Sequence, residues 1–204
     1  MAKKESTLFN MVSTLLVITA VSSASLGFMF GLTKEPKMAA EKAKQNFAIM
    51  SVLPKFENVS ALDAFDNNPL DDEFKIASFD GGDSLVCYPA FRTGDLAGIA
   101  VKTWTKSGFS GLIRLMVGFD KTGNIINISV LEHKETPGLG TKMADDEFKD
   151  QYKNRNPGTY NIKVKKDGGK IDAITAATIT AQAFSDAVLR AYNSLEKAGK
   201  FENN

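Results

Sequence analysis

From Thr7 to Thr33 there is no charged residue, and Leu8 to Leu32 supplies 25 consecutive, largely apolar positions. A helix of about 20 such residues crosses the hydrocarbon core of a bilayer, so this run is long enough to span one with some tilt. A secretion signal would share its basic start at Lys3 and Lys4, with Ser22-Ser-Ala24 as a small-residue cleavage site. The apolar run continues past that point through Leu26-Gly-Phe-Met-Phe-Gly-Leu32. The reading is therefore a retained anchor over 8–32, preceded by a short N-terminus over 1–7. Charge does not orient it. Lys3 and Lys4 flank one end, and Lys34, Lys37, Lys42 and Lys44 the other. A plain count leans toward a cytoplasmic main domain, but the rule has little hold on large translocated domains.

The rest of the 204-residue chain has room for one domain. With 24% charged and 43% apolar residues it has the balance of a globular protein. A formal charge of +1 speaks against a nucleic-acid partner. The chain has one cysteine, Cys87, and one histidine, His133. Those counts exclude an intrachain disulfide framework and argue against a zinc or iron–sulfur site. They also make a Ser-His-Asp hydrolase a poor reading. Cys87 reads as a small buried hydrophobe.

Beyond the anchor, Pro36 to about Val52 reads as a short stalk helix, with Met38, Ala39, Ala43, Phe47 and Met50 on one face. Pro54 to Gly82 is acidic and rich in Asn, Asp and Gly, and reads as a connector, so that 33–83 forms a helical stalk and connector. Strand patterns begin with Leu85–Tyr88 and Leu96–Trp104. A hairpin follows, Ile113–Phe119 and Ile125–Leu131 around Asp120-Lys-Thr-Gly123, whose glycine suits a left-handed turn position. Alternation of Ile113, Leu115, Val117 and Phe119, and of Ile126, Ile128 and Val130, predicts one buried and one wetter face. Tyr160–Val164 reads as a further short strand. Phe184, Ala187, Val188, Ala191, Tyr192 and Leu195 recur at helical spacing and predict a long closing helix. Helices flanking a run of antiparallel strands make an α+β domain, here over 84–204. The glycine motifs of common nucleotide-binding folds are absent.

Two segments can carry chemistry. Asp172-Ala-Ile-Thr-Ala-Ala-Thr-Ile-Thr180 stands at the entrance to the last helix. Its threonines could cap the helix. Alternatively the helix start could bind an anion, with the hydroxyls of Thr175, Thr178 and Thr180 beside it and small alanines admitting it. His133-Lys-Glu-Thr-Pro-Gly-Leu-Gly140 follows the hairpin. Pro137-Gly138 suits the centre of a type II turn, and Gly140 permits another sharp bend, so the loop is either a plain connection or a way to bring backbone against a flat ligand.

Both segments resemble one family. Asp172-x-x-Thr175-Ala-Ala177-Thr178 is similar to the D-x-x-[ST]-[SGA]-A-T signal of bacterial flavin transferases, which cleave FAD and leave FMN esterified through its phosphate to the last threonine. The His133–Gly140 segment resembles the flavin loop of the FMN-binding domain in the G subunit of the Rnf electron-transport complex, a domain shared with the C subunit of the sodium-pumping NADH:quinone reductase. Ser107-Gly-Phe-Ser-Gly111 resembles that family's S-G-[FY]-x-G stretch. Ala176 stands where glycine or serine is more usual. The resemblance implies covalent FMN on Thr178, with Glu135, Thr136, Gly138, Leu139 and Gly140 along the flavin and Thr175 and Ala177 beside its attachment. Asp172 and Thr175 would serve recognition by the transferase. It further implies a single-pass subunit of a bacterial inner-membrane translocase, with its FMN domain on the extracytoplasmic side. Such a subunit relays electrons within a ferredoxin:NAD oxidoreductase, with the complex's other subunits, membrane-embedded flavin and iron–sulfur ones included, and the flavin transferase as its partners. The quinone-reductase subunit, or a free-standing extracytoplasmic flavoprotein, are the alternatives. No acid–base pair is expected, since electron transfer is the cofactor's own chemistry.

Overall fold

A computed structural model describes residues 7–53, 73–92 and 95–201, and the chain divides into two units, residues 1–43 and 44–204. Helix α1, Leu8–Val52, begins in the first unit and ends in the second. Its apolar window has mean hydropathy 2.0 and none of it is buried, so it is long and apolar enough to cross a membrane. A helix apolar all round, with no protein covering it, fits a lipid surrounding. The polar residues within it are satisfied locally: Thr14, Ser25 and Thr33 donate to carbonyls four residues back. The expected break between anchor and stalk is not there, and the helix runs through Pro36. Proline removes one hydrogen bond and crowds the preceding turn at about 3 kcal/mol, but its fixed φ is already helical, and a long helix on both sides absorbs the loss.

In the second unit five strands form one antiparallel meander in the order β1-β2-β3-β4-β5. They are β1 Phe74–Ile76, β2 Leu85–Arg92, β3 Asp95–Gly108, β4 Gly111–Phe119 and β5 Ile125–Glu132. The expected strands of the meander are all present, and β2 and β3 are longer than their apolar pattern suggests: β2 stays paired with β3 through Pro89 to Arg92, and β3 stays paired with β4 beyond Trp104 to Gly108. A one-turn helix α2, Asp146–Lys149, and a long helix α3, Thr178–Lys197, follow. Of the expected connector, residues 54–72 lie outside the described residues; β1 occupies part of the remainder. Tyr160–Val164 is not a strand. Only Val164 forms an isolated bridge, to Ile171, and the segment joins no strand of the sheet.

The β4–β5 turn follows its sequence. Gly123 has φ +85, and the Asp120 carboxylate accepts from the backbone and side chains of Thr122 and Asn124. Burial pushes the Asp120 carboxyl up, but those hydrogen bonds outweigh it and leave it below its usual range.

One face of the sheet carries Val101, Ile113, Leu115, Val117 and Phe119 against Phe184, Ala187, Val188 and Leu195 of α3. The buried Thr103 hydroxyl donates to the Ala187 carbonyl at 2.9 Å, fastening α3 to β3. The opposite face, expected to be wetter, is covered. The last turns of α1 lay Ala48, Ile49 and Val52 over Tyr88, Ala90, Ala100 and Met116. Polar ties hold them there: Lys102 Nζ donates to Gln45 Oε1 at 2.9 Å, and Asn127 Nδ2 to the Ser51 carbonyl at 2.9 Å. The expected grouping of Ile126 with Ile128 also fails. A register irregularity between Gly118 and Phe119 turns Ile126 toward the α1 side, while Ile125 and Ile128 join the α3 side.

Cys87 lies in the α3-side core, fully buried, and burial pushes its thiol up to about 12, so it is an inert hydrophobe as expected.

Candidate functional site

A cleft of about 360 Å³ opens where three segments meet, lined by Phe109, Glu135, Thr136, Leu139, Gly140 and the stretch Ala176–Thr180. Its size is that of a small-molecule site. Each wall follows from local sequence. Gly108 and Gly111 pair across the end of the β3–β4 hairpin, with Gly111 at φ +98, so the chain reverses over Phe109 and Ser110. That leaves the Phe109 ring 68% exposed beside the cleft.

The second wall is the loop after β5. Leu139 N–H donates to the Thr136 carbonyl at 3.2 Å and Gly138 has φ +76, as a type II turn centred on Pro137-Gly138 requires. Thr141 Oγ1 accepts from Gly138 N–H at 2.9 Å and closes the loop onto the 3₁₀ turn Gly140–Ala144.

The third wall is the start of α3. Its N-cap is Ala177, and no side chain caps it. The first N–H groups of a helix have no partner within it, so an uncapped start offers donors and a positive dipole end to an anion. Just before it, Ala176 has φ +60. That conformation costs a residue with a Cβ roughly 1–2 kcal/mol, which Ala176 bears and a glycine would not.

The residues singled out in the sequence are not all in one place. Glu135, Thr136, Leu139, Gly140, Ala177 and Thr178 share the cleft; Gly138 and Thr175 are absent from its lining. Thr175 and Asp172 line a separate polar hollow of about 260 Å³ with Lys142, Asp145 and Gln151. Asp172 is held there by an ion pair to Lys165 at 2.6 Å and a backbone hydrogen bond to Gln151 Oε1 at 2.7 Å. The three threonine hydroxyls expected beside one anion are thus separated. Thr180 is 1% exposed and its hydroxyl donates to Glu135 Oε2 at 2.6 Å. Thr178 alone of the three lies half-buried in the cleft wall. Sequence reading misses Phe109 and Ile179 as wall residues. An aromatic between two glycines is the available signal for Phe109; for Ile179, an apolar residue on the otherwise polar start of α3.

Leu139 and Ile179 are 41% and 50% exposed, so with Phe109 the cleft presents an open apolar surface next to uncapped helix donors. A flat, largely apolar ring system bearing a phosphate fits both features, and FMN is such a molecule. Among the described residues no group of three or more His, Cys, Asp or Glu could hold a metal ion.

Residues 108–193 match the model of the FMN-binding domain family. A Haemophilus influenzae protein, the G subunit of an ion-translocating oxidoreductase complex, is 35% identical over 162 residues, covering 76% of this chain and 74% of that one. A protein of the same description from Vibrio vulnificus is 31% identical over 180 residues, covering 86% and 83%. A crystal structure of Shewanella oneidensis NqrC overlaps 69% of this chain and 78% of its own at a TM-score of 0.44 and 18% identity. With a third of its residues shared over three quarters of its length, the chain belongs to the family of G subunits of ion-translocating (Rnf) oxidoreductase complexes, and the cleft lies in its FMN-binding domain.

Proposed function

We propose that this chain carries FMN esterified through its phosphate to Thr178 Oγ1, and relays electrons between other subunits of an ion-translocating ferredoxin:NAD oxidoreductase. The observation that carries this reading is the position of Thr178: first residue of α3, at an uncapped helix start, inside the cleft that the three family-like segments build. Attachment exchanges a phosphoanhydride bond for a phosphate ester. The Thr178 oxygen bonds to the flavin-side phosphorus of FAD, the pyrophosphate link breaks, AMP leaves and the hydroxyl proton is released. A transferase performs it, and Asp172 and Thr175, on the separate polar hollow, are the residues it reads.

Bound FMN supplies reversible electron uptake and release. The chain's own residues do the rest. The α3 N-terminus holds the phosphate through its free N–H groups and dipole. Phe109, Leu139 and Ile179 would cover apolar ring surface and keep water from it, and Gly140 puts bare backbone in the cleft wall. An ester also makes retention independent of concentration, which matters for a domain facing a dilute compartment. In the same reading 8–32 is the anchor, 33–83 the stalk and connector, and 84–204 the FMN-bearing domain, facing the extracytoplasmic side of the bacterial inner membrane.

The test uses membranes containing the whole complex. Thr178→Ala should still assemble, and ferredoxin- or NAD-linked electron flow should fall to background. Near-normal flow in an assembled, flavin-free variant would contradict the relay role.

A further inference from the structure

Three stretches distant in sequence meet on one carboxylate. Glu135 is 5% exposed; its Oε1 accepts from Ser110 N–H at 2.9 Å and its Oε2 from the Thr180 hydroxyl at 2.6 Å. Two glycines make room for it. A Cβ on Gly108 would lie 2.8 Å from Oε1, and a Cβ on Gly140 would lie 2.7 Å from Oε2. The hairpin tip, the flavin loop and the start of α3 are therefore tied through this side chain. Among the residues lining the cleft, Glu135 is also the only one that ionises.

The tie itself does not require a charge. A glutamine could accept from Ser110 with its amide oxygen and donate to the Thr180 hydroxyl oxygen with its amide nitrogen. What a glutamine cannot supply is a negative charge held out of water by the cleft wall. Two hydrogen-bond donors offset part of the cost of burying it. In that setting a fixed charge acts on any charge arriving nearby far more strongly than it would in bulk water.

We infer that Glu135 is a positioning residue whose buried charge also lowers the reduction potential of the flavin in this cleft, by opposing the arrival of an electron beside it. This rests on the FMN reading above.

The experiment compares flavin-loaded full-length wild type, Glu135→Gln and Glu135→Asp in detergent, by redox titration with dithionite. Glu135→Gln should shift to more positive potential. The expected change is a tenfold or larger rise in the reduced-to-oxidised ratio at a fixed potential, about 59 mV for a one-electron couple. Glu135→Asp keeps the charge and shortens the bridge, so it should melt lower yet stay near the wild-type potential. A Gln variant that titrates like wild type, or an Asp variant shifted as far as Gln, overturns the inference. If Glu135→Gln takes up no flavin, the reduced-minus-oxidised infrared spectrum of loaded wild type decides. A shifted carboxylate band is expected, and a spectrum without one overturns the proposal. A colourless wild type sinks the flavin reading and this inference together; a yellow wild type with an unmoved Gln variant sinks this inference alone.

Discussion

Thr178→Ala is expected to lose all flavin fluorescence that survives denaturation on a gel, whereas Thr180→Ala keeps a band of near wild-type brightness. Both threonines lie in the first turn of the same helix, and both carry the same hydroxyl. They differ in surroundings. The Thr180 hydroxyl is buried and donates to Glu135 at 2.6 Å, so it is neither reachable nor free to attack. Thr178, in the same cleft wall, is only half-buried. Removing the Thr180 hydroxyl leaves the Glu135 carboxylate one donor short, at a cost of about 1–3 kcal/mol. That lowers the melting temperature of Thr180→Ala without removing the attachment point. Thr178→Ser retains a hydroxyl and should keep part of the label. A Thr178→Ala band as bright as wild type would remove Thr178 from the account.

The second large effect concerns the fold. Gly118→Ala should destabilise the FMN domain by more than about 3 kcal/mol, because a Cβ there would sit 1.9 Å from the Val52 carbonyl oxygen and 2.7 Å from its carbon. Both contacts are backbone at the end of α1, so no side-chain rotation relieves them. The helix end must lift off β4, and the apolar cluster of Ala48, Ile49, Val52 and Met116 opens with it. Domains are stable by only about 5–15 kcal/mol, so the loss is a large fraction of the total. Gly27→Ala is the control, since nothing lies within 4 Å of a Cβ at that position. Thermal scans of the full-length protein in detergent should show a large drop for Gly118→Ala and none for Gly27→Ala; equal melting temperatures would contradict the packing described.

Periodicity alone makes the meander and α3 legible in the sequence. Ile113, Leu115, Val117 and Phe119 alternate because β4 turns all four into the core on one face, and Phe184 to Leu195 repeat because α3 lies on that same core. Features that depend on partners remote in sequence are not legible in this way. Nothing near Met116 says that the end of α1 covers it. Ile126 changes sides through a bulge that its local alternation with Ile128 does not announce. Proline at 36 is locally a helix breaker, and only its place in a 45-residue helix shows that it is tolerated. At the site, the motif spacing locates the flavin loop and the α3 start. The separation of Thr175 from Thr178 is hidden, because it arises from the left-handed turn at Ala176 and the tether of Asp172 to Gln151. Glu135 is legible as a loop residue, yet its role as the common partner of Ser110 and Thr180 needs three dimensions.

The most direct measurement is the mass of the full-length protein made with a flavin transferase, followed by fragmentation of its tryptic peptide 171–190, which contains Thr175, Thr178 and Thr180. The expected result is one increment equal to FMN less water on the intact chain, with fragment ions placing it on Thr178. An unmodified peptide from yellow protein, or an increment on Thr175 or Thr180, would contradict the account.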